Sequence, residues 1–273
     1  MKRIVLFITA VLLFAGCAKE QLVEERSYTG PVTVIEATFE SLNNDATKAE
    51  VNAAGTFTWQ NGDKAAFTAS TGSQYHTGTN KSSSATASFE ITGDDVPAFT
   101  NSSFAFYPSD LTTGQSASSL TVKVPATREW LKDQTNVAMY GAKKVEASFN
   151  FTHMGGLVRV RVNNVPTNAR KFVFRTPDYK ISGDFTVAEE SGYNVIKTKT
   201  HETENPVPES EQTYTLTWTT APTPENTMDF YIPLPLGTYA NGFAFKFLDG
   251  TDAEILSKTS SQSETIARKD LVL

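Results

Sequence analysis

The sequence contains a single cysteine, Cys17, and only three histidines, His76, His153 and His201, among 273 residues. One cysteine cannot build a disulfide framework or a cysteine-based metal cluster. The histidines are too scattered for the close spacing of a zinc site. His153, at the end of an alternating segment, suits a hydrogen-bonded structural role better than that of a general base. We therefore expect neither a metal nor a cofactor.

Catalytic and phosphate-binding motifs are lacking as well. The sequence has no Gly-x-Ser-x-Gly elbow, no Cys–His pair and no glycine-rich phosphate loop. Neighbouring carboxylates occur at Glu24-Glu25, Asp94-Asp95 and Glu189-Glu190. Each pair falls in a polar turn or tail, where solvation explains it without catalysis. We expect that the protein is not an enzyme.

Positive charge is not concentrated anywhere along the chain. Lys and Arg number 24 against 30 Asp and Glu, which gives a formal net charge of −6. Nucleic-acid binding needs cations clustered opposite phosphates, and attraction to anionic membranes needs a polybasic segment. Neither kind of partner is expected, so attachment to a membrane would have to come from a lipid.

No apolar run is long enough to span a bilayer as a helix. The longest, Ile4–Phe14, is roughly half the length required, but it has the length of a signal-peptide core. It follows two basic residues and ends in small residues before Cys17, a pattern that resembles a lipobox. We predict a signal peptide over 1–16 and a lipidated tether over 17–30, in an exported outer-membrane lipoprotein at the cell surface. The alternative is an ordinary secretory signal in which Cys17 carries no lipid.

The sequence is rich in alternating apolar and polar residues. The clearest alternating segments are Leu120–Val124, Val145–Phe151, Val158–Val162, Tyr214–Trp218 and Phe243–Phe247. Such alternation is typical of half-buried antiparallel strands, and Gly, Asn, Asp and Ser clusters separate the segments. The number of short strands predicts an all-β chain with two tandem β-sandwich domains, over 31–144 and 145–273.

Two polar stretches lack this alternation. Ser70–Ala85 is rich in Ser, Thr and Gly, and Lys199–Gln212 is rich in Glu, Thr and Pro. Both are predicted to be long exposed loops, the first in the N-terminal domain and the second in the C-terminal domain.

Aromatic residues are abundant, with 18 Phe, nine Tyr and three Trp. Most occupy apolar positions of the alternating segments, where core packing accounts for them. Exposed rings on a sandwich can instead stack on sugars, so a glycan-binding surface lipoprotein is the alternative function. Trp130 is the candidate glycan contact, and Tyr75 and Tyr239 are the next rings to consider.

Four segments carry motifs that occur together, in the same order, in one known family. Phe57–Asp63 resembles an FxWxxGD hairpin, and Phe104–Pro108 resembles an xAFYP strand end. Phe149–Val160 resembles an FxHxxAxLxV segment, and Ile266–Leu273 resembles a closing strand. Together they resemble the fimbrillin family of Bacteroidetes pilus subunits and accessory lipoproteins. The resemblance implies two transthyretin-like (Ig-like) antiparallel sandwiches with a structural or adhesive role in a fimbrium.

The resemblance also implies assembly by donor-strand exchange, in which a neighbour's extended strand replaces the first strand of a subunit. Here the matching strand is Val32–Phe39, with Ile35, Ala37 and Phe39 facing inward. In that family a trypsin-like protease removes this strand. Lys48 is the basic residue in the following loop where a cut would fall, and otherwise it is an ordinary solvated lysine.

The donor strand is expected near the C-terminus, over Thr265–Leu273. Its apolar residues are Ile266, Leu271 and Leu273. The implied partners are other pilus subunits in a homo- or heteropolymer, a lipid anchor in the outer membrane, and a host or glycan ligand.

Overall fold

A computed structural model describes most of the chain outside its N-terminal region. The described residues are 32–39, 50–51, 57–68, 75–92, 104–115, 120–131, 138–145, 148–220, 227–268 and 271–272. Their regular structure is β-strand, apart from two short 3-10 helices at Ser109–Leu111 and Glu209–Glu211. Within these ranges, no helix has the length and apolar character that crossing a membrane requires.

Twenty-three strands, numbered in chain order, make up the described fold. The first twelve are β1 Val32–Phe39, β2 Glu50–Val51, β3 Phe57–Thr58, β4 Lys64–Thr68, β5 Tyr75–Asn80, β6 Ala87–Thr92, β7 Phe104–Tyr107, β8 Thr112–Gln115, β9 Leu120–Val124, β10 Thr127–Glu129, β11 Met139–Val145 and β12 Ser148–His153. The others are β13 Gly156–Val162, β14 Lys171–Arg175, β15 Gly183–Glu190, β16 Tyr193–Lys197, β17 Thr213–Thr217, β18 Met228–Leu234, β19 Gly237–Tyr239, β20 Phe243–Leu248, β21 Glu254–Ser260, β22 Glu264–Ile266 and β23 Leu271–Val272. The all-β class predicted from the sequence is confirmed.

In the N-terminal half, hydrogen bonding continues around a closed barrel of seven strands. Their order is β1-β12-β11-β7-β4-β5-β6, which returns to β1. Neighbouring strands are antiparallel except β1 and β12, which are parallel. A closed barrel therefore stands where the first sandwich was predicted, because β1 pairs with both β6 and β12.

The C-terminal half contains a sandwich of two sheets. One sheet has the order β10-β17-β14-β20-β21, and the other has the order β18-β13-β23. Phe172 of β14 and Phe230 of β18 stack across the interface with centroids 4.1 Å apart and planes 5° from parallel. A further sheet of order β16-β15-β9-β8 and the pair β19–β22 complete this half.

Strand pairing does not divide at the predicted boundary between residues 144 and 145. β12 lies after that boundary but pairs with β1 and β11 of the barrel. β9 and β10 lie before it but pair with β15 and β17 of the C-terminal half. The chain therefore leaves the barrel after β7 and returns to it at β11. Alternation identifies the buried face of a strand but not its neighbouring strand, so no local pattern indicates this crossing.

Two hydrophobic clusters correspond to these regions. The barrel interior combines fully buried rings with alanines that leave room for them, at Ala37, Ala65, Ala87, Ala105, Trp59, Phe67, Phe89, Phe149 and Phe151. The second cluster fills the C-terminal half and includes Ala66 and Phe106 from the outer face of the barrel. Because successive strand residues point to opposite faces, β4 and β7 contribute side chains to both clusters.

Candidate strand-docking sites

The predicted removable strand, β1, pairs with a neighbouring strand of the barrel on each side. Thr33, Ile35 and Ala37 align with Ile91, Phe89 and Ala87 of β6 in the antiparallel ladder. On its other side, Glu36 to Phe39 align with Ser148 to Phe151 of β12 in a parallel ladder. Ile35 and Ala37 are fully buried. The side chain of Phe39 lies outside the described residues, although its backbone ends β1.

This pairing changes what strand exchange would require. An open sheet edge can accept an extra strand without losing any hydrogen bonds. β1, in contrast, already forms backbone hydrogen bonds with a neighbouring strand on each side. The side chain of Thr38 adds a hydrogen bond from its hydroxyl to Asn150 Oδ1 at 3.1 Å. A neighbour's strand can take this place only after β1 has left it.

The predicted donor residues lie partly within the chain's own sheets. Ile266 belongs to β22, pairs with Gly237 of β19 and is 1% exposed. Leu271 belongs to β23 and aligns with Leu157 of β13 in a parallel pair. Leu273, the predicted lipid site Cys17 and the predicted processing residue Lys48 lie outside the described residues.

The hairpin and strand-end motifs meet at one end of the barrel. Gly62 has a φ of +90°, a conformation that glycine adopts without strain, in the turn between β3 and β4. One carboxylate oxygen of Asp63 accepts the backbone N–H of Gln60 at 2.7 Å, and the other accepts the hydroxyl of Tyr107 at 3.1 Å. Burial, reinforced by the charge of Asp63, raises the pKa of Tyr107 well above its usual value. This network holds the turn on the barrel.

Trp59 and Asn80 complete the end of the barrel. The ring of Trp59 is fully buried and makes edge contacts with Phe89 and Tyr107, with centroids 5.0 Å apart in each pair. The side-chain amide of Asn80 donates to the Gln60 carbonyl at 2.8 Å, and its oxygen accepts the Ser88 N–H at 3.1 Å. These contacts are all internal and hold the motif residues within the fold.

The predicted glycan contact, Trp130, is packed into the sandwich. Its indole N–H donates to the Asp229 carbonyl at 3.0 Å, and its ring lies against Trp218 and Phe230. Tyr239 is fully buried and donates its hydroxyl to the Pro235 carbonyl at 2.9 Å. Tyr239 therefore has no exposed ring face for sugar stacking, whereas Trp130 remains partly exposed.

A groove borders the free side of β13, and we call it the β13 groove. Its lining includes the consecutive residues Val158 to Arg161 but no residue of β18, which pairs with the opposite side of β13. Phe174, Phe243 and Phe245 form its apolar floor, and Lys258 to Ser260 of β21 form the far wall. Its volume is about 370 Å³, within the range of ligand-binding clefts.

The floor of this groove departs from the sequence expectation. Alternation predicts that Phe243, Phe245 and Phe247 share one buried face. Phe247 is fully buried, but Phe243 and Phe245 are only half-buried. Sequence alternation could not reveal this difference, because the exposure of both rings depends on how far the opposite sheet extends.

Groups that could bind a metal are not clustered in the part of the chain that the structure describes. No three His, Cys, Asp or Glu side chains come together there. His153 is fully buried at the end of β12, and His201 Nδ1 lies 3.1 Å from the backbone nitrogen of Val207. These histidines are thus placed within the fold rather than around a common centre.

Comparison with known proteins gives a likeness of structure only. No family profile and no curated protein matches the sequence. A solved structure described as "a putative cell adhesion protein from Bacteroides ovatus ATCC 8483" is similar, with a TM-score of 0.51 and 12% sequence identity. The match covers 88% of this chain and 90% of that chain. At this identity the likeness shows the fold, and it extends over nearly the whole length of both proteins.

Proposed function

We propose that this protein is a fimbrillin-like structural or adhesive subunit, exported and held at the bacterial surface by a lipid on Cys17. The similar solved protein is described as a cell adhesion protein, and the likeness covers 88% of this chain. The lipobox-like sequence before Cys17 and the order of the fimbrillin motifs support the same class.

We further propose that subunits join by exchange of β1. The position of β1 in the barrel carries this proposal, because the first described strand is the one that closes the ring between β6 and β12. Its departure would expose the backbone edges of both neighbours and an apolar slot that Ile35 and Ala37 now fill. An extended strand from another subunit would pair with both backbone edges and fill the apolar slot.

Exchange must be triggered, because two ladders hold β1 in place. A cut after Lys48 would separate β1 from the rest of the chain. The severed strand would then be held only by noncovalent contacts and could be displaced at high local concentration of another strand. Without a cut, the same protein would remain a closed monomer suited to an anchoring position.

The test uses residues 18–273 with a specific protease site placed directly after Lys48. After cleavage, a fluorescent peptide with the sequence of Val32–Phe39 is added, and its uptake is measured by fluorescence anisotropy. We expect uptake by the cut protein and none by the uncut protein. Size-exclusion chromatography of concentrated cut protein should also show oligomers.

The matched control is the same peptide carrying Ile35→Asp. Ile35 is fully buried, so an unpaired carboxylate at this position should prevent uptake. A cut protein that keeps its own β1, takes up neither peptide and remains monomeric would refute exchange at this site.

A further inference from the structure

In the part of the chain that the structure describes, the sandwich lacks a full strand on one side of β13. The sheet β10-β17-β14-β20-β21 has five strands, whereas the opposite sheet has β18, β13 and the two-residue β23. β23 aligns only with Leu157 and Val158. Within the described residues, no strand pairs with β13 beyond Val158 on that side, and there the β13 groove opens.

An extended segment has the shape that this gap requires. A strand added beside Arg159–Val162 would bond to a free backbone edge, and β23 shows that this side of β13 already accepts a parallel partner. Side chains on its inner face would cover Phe243 and Phe245, which now retain partial exposure. Alternate apolar residues would therefore face the floor, and the others would face solvent.

The charges around the groove favour acidic residues in an added segment. Arg161 is neutralised by Asp229, to which it makes two hydrogen bonds of 2.8 Å. Arg159 and Lys258 also line the groove, and neither takes part in an ion pair among the described residues. Glu264 is the one carboxylate in the lining, so the cations outnumber it.

We propose that the β13 groove is a docking site for an extended segment of another protein, with apolar residues alternating with acidic ones. The segment adds as a strand to the edge of Arg159–Val162, over the floor formed by Phe174, Phe243 and Phe245. This surface is separate from β1, so it can be occupied while the barrel remains closed.

The experiment uses residues 18–273, uncut, with two fluorescent heptapeptides. One alternates Val with Glu and the other alternates Val with Lys. We expect the acidic peptide to bind roughly tenfold more tightly, and the preference to weaken as salt is added. Hydrogen exchange should slow at the amides of Arg159–Val162 on binding, while Thr121–Lys123 of β9 serve as the internal reference.

A charge-reversed variant, Arg159→Glu with Lys258→Glu, provides the sharpest readout. Both side chains are at least partly exposed, so the variant should fold, which circular dichroism will verify. It should reverse the preference and bind the basic peptide. Lys123→Glu, which removes an exposed cation on β9, is the matched control and should leave the preference unchanged.

Three outcomes would overturn the proposal. The first is equal affinity for the two peptides in both the original protein and the charge-reversed variant. The second is concentration-dependent dimerisation that competes with the peptide, which would make a second copy of this chain the occupant. The third is binding of an acidic polysaccharide such as polygalacturonate, without protection of the amides of Arg159–Val162, which would make the groove a glycan site.

Discussion

The barrel and the sandwich are built from similar alternating strands but differ in whether their sheets close. In the barrel, β1 pairs with β6 over six residues and with β12 over four, so the ring has no free edge. In the sandwich, β23 pairs with β13 over two residues, and a groove remains beside it. Burial of the rings follows this difference, since Phe67, Phe89 and Phe151 are fully buried but Phe243 and Phe245 are not.

Closure thus distinguishes the two regions as proposed docking sites. Removing an internal strand of the barrel would expose two edges and an apolar slot, so the uncut barrel should not bind strands. The sandwich exposes an edge and part of its core without any cleavage. The two proposed docking sites therefore differ in what makes them accessible. Docking in place of β1 depends on proteolysis, whereas docking in the β13 groove needs no cleavage.

The largest expected effect compares one ring from each region. Phe151→Ala in the barrel should lower the free energy of unfolding by about 3–5 kcal/mol, because it leaves a cavity beside Trp59, whose ring centroid lies 5.4 Å away. Phe245→Ala should cost only about 1–2 kcal/mol, because that ring is already partly exposed at the groove. Urea unfolding followed by circular dichroism measures both. Equal losses would contradict the difference between closed and open cores.

A smaller effect concerns the end of the barrel. Tyr107→Phe removes the hydrogen bond to Asp63 and should cost about 1 kcal/mol near neutral pH. The raised pKa of Tyr107 means that the folded state holds this proton more tightly than the unfolded state. Its stabilising contribution is therefore complete below the unfolded tyrosine pKa of about 10 and is lost as the pH rises above it.

The pH dependence of unfolding checks this sign. Between about pH 8 and pH 11, the free energy of unfolding should fall less steeply in Tyr107→Phe than in the original protein. Tyr193→Phe, which changes a more exposed ring in β16, is the control variant. An unchanged slope in Tyr107→Phe would mean that this hydroxyl does not titrate differently on folding.

The smallest expected effect lies on the outer face of the sandwich. Arg161→Ala breaks the two hydrogen bonds to Asp229 but should cost less than about 1 kcal/mol, because the Arg161 side chain is 47% exposed. Arg159→Ala, two residues earlier on β13, removes a cation without an ion pair among the described residues and isolates the contribution of the pair. A loss above about 2 kcal/mol would show that this pair, rather than the core, holds β13 to β18.

Local patterns predicted strands and their buried faces well where one face of a strand packs in the core and the other is more exposed. Leu120, Val122 and Val124 of β9 are buried between more exposed residues, as their alternation indicates. Tyr214 and Leu216 of β17 follow the same rule. The predicted strand Val145–Phe151 is instead divided, because Val145 ends β11 and β12 begins at Ser148.

The strand β5 was missed for a physical reason. The stretch Ser70–Ala85 was predicted to be a loop, yet it contains β5, a barrel strand between β4 and β6. β5 contributes little apolar surface, and a Cβ at Gly78 would approach Phe67 Cε2 to 2.8 Å. The position of β5 depends on its backbone pairing and on the small size of Gly78 beside the Phe67 ring. Neither feature is visible as hydrophobic alternation.

The amino-acid sequence alone determined that this is an all-β protein, because the period of apolar side chains along a strand is a local property. Only the tertiary structure decided which strands are neighbours, that β1 closes a ring and that the chain crosses between regions before β13. It also decided that, among the described residues, β13 has just a two-residue partner on one side. These features depend on contacts between residues about a hundred positions apart, such as Thr38 with Asn150, and no local pattern encodes such contacts.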